Sequence, residues 1–112
     1  MNQYEKSIVV DFDGIISEYQ GWKGEFNYGK VIKKAYSCLK RAKKIGYRII
    51  IFTSRNWIEH AELEKYLNDN NICYDILICG KPIGDIYIDD RAINNWDDLD
   101  NELKTTLKNI NK

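Results

Sequence analysis

The sequence predicts an α/β protein: an open, mainly parallel sheet in a three-layer arrangement, with helices on both faces. Three observations predict it. Short β-branched runs recur along the chain, segments of helical spacing lie between them, and no internal repeat or low-complexity tract interrupts the alternation. At 112 residues, with 44% hydrophobic and 30% charged side chains, the chain holds one core, so residues 1–112 are expected to form a single domain.

The elements follow in order. Ser7-Ile8-Val9-Val10-Asp11-Phe12 is apolar at consecutive positions, the mark of a strand buried on both faces. Val31, Ile32, Ala35, Cys38, Leu39 and Ala42 recur at helical spacing with lysines and Arg41 on the other faces, and Gly46 closes that helix after a lysine-rich turn. Tyr47 to Thr53 is a second buried strand. Trp57, Ile58, Ala61, Leu63 and Leu67 line a second helix that Asn70-Asn71 stops. Tyr74 to Cys79 is a third strand closed by Gly80, and Ile86-Tyr87-Ile88 is read as a short fourth. Trp96, Leu99, Leu103 and Leu107 line a final helix, with fraying expected at Asn109–Lys112. Alternating strands and helices imply parallel pairing through right-handed crossovers.

Composition excludes several functions. Lys+Arg 17 balances Asp+Glu 17, so the basic excess that counterion release requires is missing and nucleic acid is a disfavoured partner. The longest apolar run, Ile49 to Phe52, is far short of the ~20 residues of a spanning helix, so no membrane partner is expected. Met1 to Lys6 lacks the basic and apolar regions of a secretion signal, and Cys38, Cys73 and Cys79 form no C-x-x-C pair. A cytoplasmic location with reduced thiols is the expectation.

In open α/β sheets, ligands bind beyond the carboxyl ends of the strands. Every unusual residue group falls there: Asp11-Phe12-Asp13-Gly14 after the first strand, Thr53-Ser54-Arg55 after the second, Gly80-Lys81-Pro82 after the third, and Asp89-Asp90-Arg91 after the fourth. Carboxylates gathered in a small volume repel one another and call for cations. Lys81 supplies one charge, and a hard divalent ion such as Mg²⁺, which takes one or two carboxylates and leaves room for water and phosphate, supplies two more. This is the inventory for holding a phosphoryl group. Each residue also has an ordinary alternative: Asp13-Gly14 as a turn, Thr53 as a strand residue, Lys81-Pro82 as a loop, and Asp89-Asp90 as a helix cap.

The order Asp11-Phe12-Asp13, Thr53, Lys81, Asp89-Asp90 resembles the haloacid dehalogenase (HAD) superfamily of phosphotransferases, over nearly the whole chain. The resemblance implies a Rossmann-like, HAD-like fold. It implies Asp11 as the nucleophile that forms an aspartyl-phosphate, Asp13 as general acid and base, and Thr53 as a hydrogen-bond donor to the phosphoryl group. Lys81 neutralises charge and positions Asp11. Mg²⁺ is implied as cofactor, on Asp11, the backbone carbonyl of Asp13, Asp89 and Asp90. Gly14, Ser54 and Arg55 are implied to meet substrate. An alternative register, Gly84-Asp85 followed by Asp89, would place Asp85 at the site, but the apolar run follows Asp85, which favours Asp89-Asp90.

Retention of Asp13 points to a phosphatase or phosphomutase and away from dehalogenases of the superfamily. Two features depart from the pattern. Ile15 stands where relatives carry Thr, and the intervals between motifs leave no room for a cap domain. Only residues 15–28 remain for a small flap hairpin, which holds Tyr19, Trp22, Lys23, Phe26 and Tyr28. The expected activity is Mg²⁺-dependent hydrolysis of a phosphomonoester, with a small phosphorylated metabolite such as a sugar phosphate preferred, and with nucleotides, phosphoproteins and nucleic-acid ends as alternative substrates. A homo-oligomer that shields the open site is a further expectation. A receiver-type signalling module uses similar residues in a different order, and a non-catalytic protein on the same fold would not need the full set.

Overall fold

The computed structural model describes residues 6–110, and its ordered elements alternate between strand and helix. Strand β1 is Ser7–Val10, helix α1 Lys33–Ile45, strand β2 Arg48–Phe52, helix α2 His60–Asp69, strand β3 Ile76–Ile78 and helix α3 Trp96–Ile110. A single 3-10 turn, Trp57–Glu59, leads into α2. Met1–Glu5, where the question of a secretion signal lies, and Asn111–Lys112 at the expected frayed end lie outside the described residues. Among the described residues, no helix is long and apolar enough to cross a membrane.

The sheet is parallel, in the order β1-β2-β3, with Ile8 opposite Ile49, Val10 opposite Ile51, and Ile51 opposite Leu77. Side chains alternate along a strand, so these paired residues share one face. That face is the core. Val10, Ile49, Ile51 and Leu77 pack with Ala35, Cys38, Leu39 and Ala42 of α1, Leu63 and Leu67 of α2, and Leu103 of α3. The spacing of these apolar residues in α1 and α2 is why the two segments are helices. Gly46 ends α1 at φ +116°, in the left-handed region glycine enters freely, and its N–H reaches the Ala42 and Lys43 carbonyls.

Helix α3 is bound to α1 by a polar knot around the buried Asp100. Asp100 accepts from Cys38 Sγ at 3.3 Å and pairs with Lys34 at 3.1 Å and with Arg41. Tyr47 and Thr106 share a hydrogen bond at 2.8 Å. Trp96 fastens the start of the helix by donating its indole N–H to the Ile15 carbonyl at 3.0 Å.

Two expectations are corrected. The helices do not cover both faces: all three feed the one core cluster, giving two layers among the described residues. The opposite face carries Val9, Ile50, Phe52, Ile76 and Ile78, none of which belongs to that core, and Val9 is 61% exposed. The reason is topological. Strands that step in one direction through right-handed crossovers put both connecting helices on the same side. Second, Ile86-Tyr87-Ile88 is not a strand. Its apolar side chains are exposed, Ile88 at 97%, and the Tyr87 hydroxyl folds back to donate to the Pro82 carbonyl and accept from Gly84 N–H.

Candidate active site

The carboxyl ends of β1, β2 and β3 lie side by side, and the loops that leave from them carry the candidate residues. Beyond β1 the chain turns sharply. The Phe12 carbonyl accepts from the N–H groups of Ile15, Ile16 and Ser17, and Gly14 adopts φ +81° while donating to the Ser17 carbonyl at 2.7 Å. Phe12 is fully buried, whereas the flanking carboxylates stay at the surface, Asp11 with 43% and Asp13 with 21% of the side chain exposed. Alternation about a buried aromatic is the physical basis of the Asp-x-Asp spacing.

Beyond β2, Thr53 is buried, and its hydroxyl oxygen accepts from Arg55 N–H at 3.2 Å, which leaves the hydroxyl proton free to donate. The loops after β2 and β3 are stitched together: Lys81 N–H donates to the Thr53 carbonyl and Gly80 N–H to the Arg55 carbonyl, each at 2.9 Å. Gly80 makes this approach at φ +86° against Trp57, whose indole nitrogen would stand 3.1 Å from a Cβ placed there. The stitch brings Lys81 Nζ to 3.7 Å from Asp11 Oδ2, and the Tyr87 ring lies 4.5 Å from the same ammonium.

Arg55 does not face substrate, which corrects that expectation. Its side chain is 4% exposed, and each of its three nitrogens donates a hydrogen bond. Nε and Nη2 donate to the two oxygens of Asp13 at 3.0 and 2.9 Å, Nη1 to Glu59 at 2.7 Å, and Nη2 also to the Asn27 carbonyl at 2.8 Å. The rings of Tyr28, Trp22 and Phe12 surround the guanidinium at 4.7, 5.0 and 5.8 Å. Burial alone would pull this group down. The carboxylates of Asp13 and Glu59 outweigh it and hold Arg55 above its ordinary value, a firm cation.

Glu59 is fully buried, and one of its oxygens accepts from Arg55, Phe26 N–H and Tyr28 OH. Burial first, then the Glu59 charge and hydrogen bond, push the Tyr28 hydroxyl up to about 12. Residues 15–28 form a flap loop without a continuous strand; an antiparallel bridge between Ser17 and Val31 closes its neck, with Glu18 N–H to Lys30 O and Ile32 N–H to Ile16 O both at 2.8 Å. Glu59, Asn27 and Tyr28 are the partners that sequence reasoning missed. The one available signal was the opposite-charge spacing of Arg55 and Glu59, four residues apart.

Asp11, Asp13, Thr53 and Lys81 therefore meet at one rim, with exposed Ser54 and Gly14 in the loops beside them. Asp89 and Asp90 do not join them. Both are exposed, and Asp89 accepts from Arg91 N–H in a local turn. Without a fourth strand, nothing carries these acids to the sheet edge.

Neither a protein-family profile nor a curated protein matches the chain. Among solved structures it is similar to a crystal structure of a structural-genomics target from Vibrio cholerae, with a TM-score of 0.68 and 21% identity over 90% of this chain and 98% of that one. It is also similar to a structure of the Pnkp1/Rnl/Hen1 complex, with a TM-score of 0.58 and 23% identity, covering 80% of this chain and 32% of that one. At these identities the likeness shows the fold: a small α/β protein on a parallel, Rossmann-like sheet.

The donors for a divalent metal are incomplete in this geometry. Asp11 offers a half-exposed carboxylate and Asp13 its backbone carbonyl, its carboxylate being held by Arg55; Asp89 and Asp90 stand apart from both, and among the described residues no three His, Cys, Asp or Glu side chains are close enough to hold an ion. The expected set, the Asp11 carboxylate, the Asp13 backbone carbonyl, Asp89 and Asp90, is not gathered as a preformed metal cage because Asp89 and Asp90 do not reach the rim.

Proposed function

We propose that the chain is a HAD-type phosphomonoester phosphatase working through an aspartyl-phosphate on Asp11. The observation that carries this reading is the pairing of Asp11 with Lys81 at 3.7 Å, beside Asp13 and the buried Thr53, at the carboxyl ends of adjacent parallel strands. A carboxylate nucleophile needs an ionised oxygen, a neighbouring cation to offset charge on the phosphoryl group, and an acid for the leaving oxygen.

In this reading, Asp11 attacks phosphorus while the bond to the leaving alcohol breaks. Asp13 passes a proton to that oxygen. Water then attacks the acyl phosphate, Asp13 takes its proton, and Asp11 is released with inorganic phosphate. Thr53 donates its hydroxyl proton to a phosphoryl oxygen, and Lys81 offsets the phosphoryl charge. Mg²⁺ enters the proposal as a dependence to be measured, and no step is assigned to it.

The balance of Lys+Arg 17 against Asp+Glu 17 gives a polyanionic substrate little support, so the reading takes a small phosphorylated metabolite, with a sugar phosphate preferred. Hydrolysis of p-nitrophenyl phosphate by the purified chain, with and without Mg²⁺, tests the proposal. Activity that Asp11→Asn abolishes is the expected result, and equal rates in both proteins refute it. A panel of sugar phosphates, nucleotides, a phosphopeptide and a 3′-phosphorylated oligonucleotide then tests the substrate class.

A further inference from the structure

We propose that Arg55 is a positioning residue for Asp13, and that it makes the flap loop part of the same rigid unit. This rests on the reading of Asp13 as the proton donor and acceptor. Arg55 makes both of the hydrogen bonds that the structure gives to the Asp13 carboxylate, at 3.0 and 2.9 Å. A planar guanidinium that grips both oxygens fixes the plane of a carboxylate as well as its place. An ionised carboxylate offers about four lone-pair sites. The fork occupies one on each oxygen and leaves room on the carboxyl for the proton that Asp13 donates and takes back.

The guanidinium is itself braced. It is buried, it is anchored to Glu59 at 2.7 Å and to the Asn27 carbonyl at 2.8 Å, and the rings of Tyr28 and Trp22 flank it. Glu59 also accepts from Phe26 N–H at 2.9 Å, so the flap loop and the start of α2 share one anchor with the catalytic acid. A surface ion pair would contribute little and fix nothing. This pair is bidentate, its guanidinium is buried, and it is braced on its far side. A displacement of the flap must move Arg55, and through it Asp13. A misplaced acid slows proton transfer, and that loss shows most where the leaving group needs a proton.

The test is a leaving-group comparison between phenyl phosphate, whose departing oxygen needs protonation, and p-nitrophenyl phosphate, which needs it far less. Arg55→Lys keeps the charge and loses the fork. It is expected to lower kcat on phenyl phosphate by roughly a hundredfold and on p-nitrophenyl phosphate by several-fold only, with KM within about twofold. In an Asp13→Asn background the same substitution is expected to add less than about a twofold effect on phenyl phosphate, because the group it acts through is gone. Equal losses on both substrates, or full additivity with Asp13→Asn, overturn the proposal. Where Arg55→Lys fails to fold, Glu59→Gln loosens the far side of the guanidinium. It is expected to give the same substrate bias at smaller size, and an unbiased loss counts against the role. A wild type inactive on every phosphomonoester refutes the phosphatase reading itself, and this role with it.

Discussion

Replacing Glu59 by Gln tests whether the buried Arg55 assembly holds the flap to the sheet. Glu59 is fully buried, and one oxygen accepts from Arg55 at 2.7 Å, Phe26 N–H at 2.9 Å and Tyr28 OH at 3.3 Å, while the other has no partner. Removing one member of an isolated buried ion pair costs ~3–5 kcal/mol. Here Asp13 still faces the guanidinium, and a Gln oxygen still accepts from Phe26 and Tyr28. What is lost is the charged share of one short hydrogen bond, ~1.5–3 kcal/mol, and the new amide group buries a donor where no acceptor stands. We expect a loss of ~2–3 kcal/mol, a fall in Tm of roughly 8–12 °C for a chain of this size, and a greater loss for Glu59→Ala. Urea and thermal unfolding at neutral pH measure it. Ultraviolet titration gives a second reading. Burial first and then Glu59 hold the Tyr28 hydroxyl up to about 12, so Glu59→Gln lowers it part of the way toward its ordinary value. A change below ~0.5 kcal/mol together with an unmoved Tyr28 would refute the claim that Glu59 anchors the assembly.

Three further outcomes are expected. Gly29→Ala would set its Cβ 2.1 Å from the Glu18 carbonyl oxygen and 3.0 Å from the carbonyl carbon, both backbone atoms, so the flap neck must part; we expect ~1–3 kcal/mol of destabilisation and faster proteolysis within residues 19–28, read by unfolding and peptide mapping. For Asp100, burial works upward on the carboxyl, but Lys34, the Cys38 thiol and Arg41 outweigh it and hold the group below its ordinary value. Its stabilisation is therefore full above the ordinary carboxylate range near pH ~4 and is lost as pH falls through the depressed value, so Asp100→Asn should flatten the acid limb of the stability curve. For Tyr28 the sign reverses: the raised hydroxyl stabilises below its unfolded value near ~10 and loses that contribution as pH rises to about 12, so Tyr28→Phe should make the alkaline limb shallower.

Strand and helix periodicity revealed β1, β2, β3, α1 and α3, because the apolar residues that define them also build the core: Ile49 and Ile51, Leu39 and Ala42, Leu103. The second helix was legible from Leu63 and Leu67, but Trp57 and Ile58, counted with them, stand exposed on the 3-10 turn that precedes it. A local pattern cannot say which apolar run finds a partner. Ile86-Tyr87-Ile88 has the composition of a strand, yet β pairing is a long-range contact, and the Tyr87 hydroxyl satisfies Pro82 and Gly84 within its own turn. The same limit hid Arg55. Its neighbours in the chain suggested a substrate contact, while Asp13 and Asn27, which hold it, lie 42 and 28 residues away. Asp11, Thr53 and Lys81 were legible because Asp11 and Thr53 follow their strands directly and Lys81 stands three residues past the end of β3, and parallel strands bring such positions to one edge.

The most direct test is to find where the phosphoryl group goes. Acid quenching during turnover of a radiolabelled phosphomonoester, borohydride reduction of the acyl phosphate and peptide mass spectrometry would mark the residue that carried it. Conversion of Asp11 to homoserine, in wild type and not in Asp11→Asn, is the result this account predicts. Steady hydrolysis with the mark on another residue, or with no covalent intermediate, would contradict it.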